Sequence, residues 1–226
     1  SAEKARREAA PPASGSAQAG YGRLLADQNL WIMIGLYLCY TTGQYGYLLW
    51  LPSILKDLTR QSLTSVGWLS APPLVAAIAG VYIFGAASDV KGNRRLWCAV
   101  SLWGFGVALG LVTVFAHRVW IAYSMIVVAG LLSKGMQSPF WSSPALVFAP
   151  GVVGGARGVI NGIGNLGGFV GPVLVGWIAR ETGGNMNYGM AALAVSLIAG
   201  GCLTMLLPKA TAGYEFQKER AAATSK

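Results

Sequence analysis

Three stretches of this chain, Leu96–Ala116, Val119–Ser133 and Gly158–Ala179, contain no ionisable side chain other than a cysteine or a tyrosine. About 20 apolar residues in a helix cross about 30 Å of hydrocarbon, and runs this long and clean do not suit the core helices of a water-soluble domain. Composition agrees, with 54% of the 226 residues hydrophobic and 11% charged, against roughly a quarter charged in soluble domains. Runs of sufficient length near 30–51, 66–87, 96–116, 119–141, 158–179 and 188–207 predict six transmembrane helices. None has the dyad alternation or the short length of a barrel strand. The expected fold is an all-α membrane protein, with a cytoplasmic linker over 1–28, a six-helix bundle over 29–208 and a cytoplasmic tail over 209–226.

The basic residues orient the bundle. With the N-terminus inside, Lys4, Arg6, Arg7, Arg23, Lys91, Arg94, Arg95, Arg157, Lys209, Lys218, Arg220 and Lys226 fall on the cytoplasmic side. Only Lys56, Arg60, Arg118 and Arg180 fall outside, and Lys134 lies in a span. The positive-inside rule therefore places both termini in the cytoplasm. The net charge of +9 follows from this bias and does not call for a nucleic-acid partner. The segment SAEKARREAAPPASGSAQAG lacks the apolar core of a signal peptide and reads as a linker. Cys39, Cys98 and Cys202 all lie in apolar spans without metal-ligand spacing, which suits structural thiols. His117 sits in the turn Ala116-His117-Arg118 with no acid nearby, so neither a metal, a cofactor nor an enzyme is indicated.

Gly162-Ile163-Gly164-Asn165-Leu166-Gly167 matches the dinucleotide pattern G-x-G-x-x-G. That pattern needs a preceding strand and an acid about 20 residues on. Here it falls inside a spanning helix, and the first acid after it is Glu181, 14 residues beyond Gly167. Glycines at 158 and 162, 164 and 168, 167 and 171, and 106 and 110 instead have the small-xxx-small spacing of closely packed helices.

Polar side chains inside spans are costly unless they face protein or water, so they mark candidate sites. In the first span Tyr37, Tyr40, Thr41 and Gln44 share a face, with Tyr45 at its margin. In the fourth, Lys134, Gln137, Ser138 and Trp141 repeat that spacing, and Pro139 and Pro144 are expected to bend or interrupt the helix. Lys134 is the only acid or base inside a span; it either pairs with backbone carbonyls or snorkels to an interface, or it attracts an anion. In the fifth span Asn161, Asn165, Gly168 and Pro172 share a face, and each asparagine either bonds a neighbouring helix or meets a carboxylate or hydroxyl ligand. The joint Ser88-Asp89-Val90-Lys91-Gly92-Asn93-Arg94-Arg95 is either a solvated turn or a cytoplasmic latch. In it Gly92 can take a positive φ and Asp89 can pair with an arginine.

GQYGYLLWLP (43–52), GAASDVKGNRR (85–95), KGMQSPFWSSP (134–144) and GNLGGFVGPVLVGW (164–177), in this order, resemble the C-terminal half of a major facilitator superfamily transporter, specifically of the anion:cation symporter family of sugar-acid, tartrate and phthalate permeases. The resemblance implies helices seven to twelve of a twelve-helix protein, built from two inverted three-helix repeats over 30–116 and 119–207. It places Trp141 and Asn161 in the wall of a substrate cavity bordered by Gln44 and Tyr45. Gln137 and Asn165 join these as candidate substrate contacts, and Asp89, Gly92, Arg94 and Arg95 are candidate gating residues. The implied cargo is a small organic anion moved with protons across the inner (plasma) membrane. The partner is an N-terminal six-helix half, which in this family carries the anion-gripping arginine and the proton-carrying carboxylates. The competing reading is a self-associating six-helix membrane protein with a channel-like or regulatory role.

Overall fold

The computed structural model describes residues 21–208, which are helical almost throughout and contain no strand. Most of the linker expected over 1–28 and the tail expected over 209–226 lie outside the described residues, while residues 21–26 form a short helix with Leu24 buried. The main elements follow in chain order as α1 (Gln28–Thr59), α2 (Leu63–Lys91), α3 (Arg94–Val114), α4 (Val119–Ser133), α5 (Gln137–Ser142), α6 (Pro144–Val147), α7 (Val153–Gly164), α8 (Gly167–Glu181) and α9 (Met186–Thr204). α4, α5 and α6 make one passage over Val119–Val147, and α7 and α8 another over Val153–Glu181.

Five passages are long and apolar enough to cross a bilayer: α2, α3, α4 to α6, α7 with α8, and α9. The exception is α1. At 32 residues it is long enough, but Tyr37, Tyr40, Thr41, Thr42, Gln44, Tyr45 and Tyr47 dilute its apolar character over three turns. The expected six passages therefore hold by length, and by apolarity for five of them.

The packing has a two-fold pattern. α1 packs against α8 and α9, as α4 packs against α2 and α3, while α3 and α9 pack against each other. Glycines set the closest approaches at equivalent places. A Cβ at Gly171 would meet the backbone carbonyl of Thr42, and one at Gly167 the backbone of Leu38 and Thr42. A Cβ at Gly80 would strike the carbonyl of Leu131, and one at Gly130 the backbone of Pro73. Not every expected glycine pair packs in this way. Gly158, Gly162 and Gly110 have nothing within 4 Å of a built Cβ, because no described helix covers those faces.

Large side chains face outward around the bundle, among them Trp68 at 78%, Trp120 at 74% and Phe169 at 72% exposure. Such a belt is tolerable in hydrocarbon and not in water. Helix ends are capped from sequence: Asp27, Ser62, Asn93 and Asn185 each accept a backbone N–H of the first turn of the helix that follows, satisfying groups that the helix itself leaves free.

Two passages are interrupted in mid-course, and the prolines explain where. Proline has no N–H to donate and its ring crowds the carbonyl four residues earlier, so it loosens the turn before it. Upstream of Pro139 the chain tightens, with Gly135 N–H bonding to Leu132 O and Gln137 N–H to Lys134 O. The interruption expected at Pro139 and Pro144 thus begins at Lys134–Met136. Upstream of Pro172, Gly168 N–H bonds to Asn165 O and Phe169 N–H to Leu166 O in the same three-residue manner. Short tight segments of this kind inside long helices often mark hinges.

Candidate functional site

The interruption at Asn165 frees one backbone carbonyl, and side chains from facing helices bond to it and to two others. With Gly168 N–H turned to Asn165, the Gly164 carbonyl accepts the Thr41 hydroxyl at 2.6 Å. The Leu132 carbonyl accepts Ser101 Oγ at 2.7 Å, and Trp50 Nε1 donates to Pro172 O at 3.1 Å. The polar stripe of α1 is thereby partly structural, since Thr41 ties it to the broken fifth passage.

Around that tie the first cluster assembles. Tyr37 stacks on Phe140, with ring centroids 5.3 Å apart and planes 4° from parallel, and meets Trp141 edge-on at 5.1 Å. Its hydroxyl donates to Asn161 Oδ1 at 3.5 Å, and Asn165 Nδ2 donates to the same oxygen at 2.8 Å. Asn161 is exposed and half-buried Trp141 is within this group. Arg157 donates to the Trp141 carbonyl at 2.9 Å, holding the short helix α5 against the start of α7. Tyr45 lies at the edge, 41% exposed, beside Gly168, whose built Cβ would sit 3.1 Å from the tyrosine ring.

The second cluster is a cavity of about 350 Å³ between α1, α2 and the interrupted fourth passage. Its polar lining is Gln44, Ser133, Lys134 and Gln137; Tyr47, Leu74 and Ile78 are among its apolar walls. Gln44 is 3% exposed and its Oε1 has no hydrogen-bond partner. Leaving a buried acceptor unpaired costs about 1–3 kcal/mol. Lys134 is half-buried, and the one ion pair among the described residues is elsewhere, between Arg94 and Asp89.

The six candidate substrate contacts therefore divide. Gln44 and Gln137 line the cavity with Lys134; Trp141, Asn161 and Asn165 join Tyr37, with Tyr45 at the margin. Sequence reasoning gave Tyr37 no role beyond the stripe, although it is the hub of the first cluster, and it named neither Ser133 nor the α2 wall. The α2 residues are uniformly apolar and gave no stripe to find. Ser133 spends its hydroxyl on Gly130 O at 2.7 Å.

The candidate gating residues are together at the joint of α2 and α3. Gly92 caps α2 at φ 66°, a left-handed conformation easy for glycine alone. Arg94 pairs with Asp89 at 3.6 Å, Lys91 Nζ lies 5.3 Å from the centre of the Trp97 ring, and Arg95 donates to the carbonyls of Met205 and Leu207 at 3.2 and 2.7 Å. Arg95 thus binds the end of α9, whose last carbonyls have no partner within the helix.

An all-helical bundle with glycine-bonded interlocking halves, interrupted passages and inward polar groups is what the sequence comparison then places. Residues 33–225 match the Major Facilitator Superfamily. The chain belongs to that superfamily. It is similar to a protein of Agrobacterium vitis named "Putative tartrate transporter", 32% identical over 82% of this chain and 42% of that protein. It is also similar to the "Quinolone resistance transporter" of Acinetobacter baumannii, 27% identical over 81% of this chain and 42% of that one. Both carry the names of transporters, not enzymes. This superfamily member spans less than half the length of these relatives. Its fold is similar to that of a bacterial homolog of the human lysosomal transporter Spinster in an inward-facing, unoccupied conformation. The TM-score is 0.57 at 17% identity, over 89% of this chain and 49% of that one.

Proposed function

We propose that the chain forms helices seven to twelve of a secondary active transporter that moves a small organic anion with protons by alternating access, with the six-helix bundle of 29–208 sitting in the inner membrane and both termini cytoplasmic. The observation that carries this reading is the cavity wall of Gln44, Lys134 and Gln137. A bilayer-spanning bundle has no structural need for a cation unpaired among the described residues, and an anionic ligand answers it. The name of the Agrobacterium vitis relative supports a carboxylate cargo, while the Acinetobacter baumannii relative's name differs, so the cavity and not kinship is the basis for the class. Trp141, Asn161 and Asn165 add an apolar plate and amide groups beside the cavity, and Asp89, Gly92, Arg94 and Arg95 form a latch that remakes as helices tilt. Proton-carrying carboxylates come from the N-terminal half, because Asp27, Asp57, Asp89 and Glu181, the acids among the described residues, all lie at or near helix ends.

The test is transport. Reconstituted with an N-terminal six-helix half, the chain accumulates a carboxylate in response to a proton gradient. Asn161→Ala weakens that uptake about tenfold, the scale of one lost hydrogen bond to a charged ligand, without loss of folded protein. Uptake indifferent to both the gradient and the substitution overturns the reading.

A further inference from the structure

α1 ends on a strained residue. Its C-cap, Arg60, is the only non-glycine residue with a positive φ among the described residues, at 54°. A left-handed residue closes a helix by turning its N–H back, and glycine does this at the least steric cost. α2 shows the ordinary solution, with Gly92 at 66° in the same role. The backbone of α1 therefore gives no reason for an arginine. Nor does the turn use the guanidinium, since its hydrogen bonds run from Arg60 N–H to Lys56 O, from Thr59 Oγ1 to Leu55 O and from Gln61 N–H to Thr59 Oγ1. Arg60 instead lines an open cleft of about 470 Å³, together with Lys56, Asp57 and Gln61 and, across from them, Gly184 and Met186 at the α8–α9 joint. Basic residues are few at this end of the bundle, namely Lys56, Arg60, Arg118 and Arg180, and two of them meet in this cleft. One cation there answers the helix dipole; a second, on a strained backbone, does not follow from it. Asp57 stands three residues before Arg60, a spacing at which side chains can pair, yet the one ion pair among the described residues is between Arg94 and Asp89. The lining thus carries two cations and one carboxylate, a net charge of one positive.

Exposed aromatic residues set the level of the cleft. Trp68 and Trp120 stand in the first two turns of α2 and α4, Trp177 in the last two turns of α8 and Tyr188 in the first turn of α9, all at the end of the bundle where α1 finishes. Tryptophan and tyrosine gather at headgroup depth, and Trp177 and Tyr188 flank the joint that forms the far wall of the cleft. We propose that Lys56 and Arg60 hold the phosphate of a phospholipid headgroup, seating one lipid between the end of α1 and the α8–α9 joint. The planar arginine fork suits two phosphate oxygens, and the lysine ammonium adds a point charge. A free phosphate ester offers the same oxygens, and charge separates the two sources. The phosphodiester of a lipid carries one negative charge and balances the lining, whereas a free phosphomonoester carries about −1.5 to −2 at pH 7 and is opposed by Asp57. The site is separate from the cavity that holds Lys134 and stands whether or not the transport reading does.

Native mass spectrometry and thermal melting of the full chain in detergent, with dioleoyl phosphatidylglycerol added, test the site. The wild type retains one lipid and melts at a higher temperature with it. Arg60→Gly relieves the backbone, so the variant folds and melts no lower than the wild type without lipid, yet its affinity for the lipid falls about tenfold, the scale of one charge-assisted hydrogen bond. Lys56→Met lowers the affinity in the same way, and Arg60→Lys keeps part of it. Arg118→Met takes the same charge from the same end of the bundle and leaves retention unchanged. Glycerol 3-phosphate and succinate, each added without lipid, stabilise the wild type no more than Arg60→Gly. Unchanged lipid affinity in Arg60→Gly overturns the proposal, and so does an equal fall in Arg118→Met, which reduces the effect to the charge of that face. Stabilisation of the wild type by glycerol 3-phosphate or succinate that Arg60→Gly abolishes overturns the lipid assignment in favour of a free anion.

Discussion

Substituting Gly171 tests whether the fifth passage is held against α1 by backbone contact. A methyl group at Gly171 points at the Thr42 carbonyl, with the Thr42 carbonyl carbon 2.9 Å and the Gly46 nitrogen 3.0 Å from the built Cβ. These are backbone atoms with no rotamer to escape into, so α8 must back away by a few tenths of an ångström to about 1 Å. Overpacking of this kind costs about 1–3 kcal/mol, and the displacement also stretches the Thr41 to Gly164 bond of 2.6 Å and the Trp50 to Pro172 bond of 3.1 Å. The helix propensity of alanine returns up to about 1 kcal/mol. The net expectation for Gly171→Ala is a loss of about 1–2 kcal/mol. Gly158→Ala is the matched control, because a Cβ there meets nothing within 4 Å and the propensity gain stands alone. Reversible unfolding of the purified chain in mixed micelles, followed by helical circular dichroism against the mole fraction of a denaturing detergent, reads both. Gly171→Ala as stable as Gly158→Ala refutes the close approach of α8 to α1.

Other substitutions separate the contacts at the site from those at the joint. Arg157→Met removes the donor to the Trp141 carbonyl and costs about 0.5–1.5 kcal/mol, and it raises the substrate KM more than a tail substitution such as Lys218→Met does. Asp89→Asn breaks a pair in which the carboxylate is 69% exposed, so unfolding of the chain changes by less than about 1 kcal/mol, while Arg95→Met, which loses two bonds to carbonyls at the end of α9, destabilises it more. Tyr37→Phe keeps the stack on Phe140 and loses only a 3.5 Å hydrogen bond, so folded yield is retained; Tyr37→Ala removes the hub ring and lowers yield in membranes.

How much of this was legible in the chain differs by kind of feature. The long charge-free runs gave the passages because hydrocarbon imposes one length on every helix that crosses it. Polar stripes marked one face on each of three passages, because a period of 3.6 fixes which residues share a side. Neither gives the partner across the gap. Thr41 lies in a stripe that suits either helix–helix hydrogen bonds or a cavity wall, and it closes the Gly164 carbonyl, left open where the Gly168 N–H, four residues before Pro172, turns to Asn165. Gly158 and Gly162 have the same spacing as Gly167 and Gly171, and one pair is open while the other is packed. The spacing permits an approach; the facing surface decides it.

Lys134 shows the same division at the site itself. Its chemistry was plain from sequence, but whether it snorkels depends on depth, and depth depends on where the passage ends. The structure runs that passage on to Val147, past the Trp141 at which the apolar run was expected to stop, because Pro144 opens the new turn of α6 instead of ending the passage. That extension moves Lys134 from near an end to the middle. A lysine near an end is solvated by water and headgroups; a lysine in the middle, in the cavity that Gln44 also lines, needs a polar partner there. The prolines therefore set how deep the one charge in the spans lies, because they lengthen the passage around it.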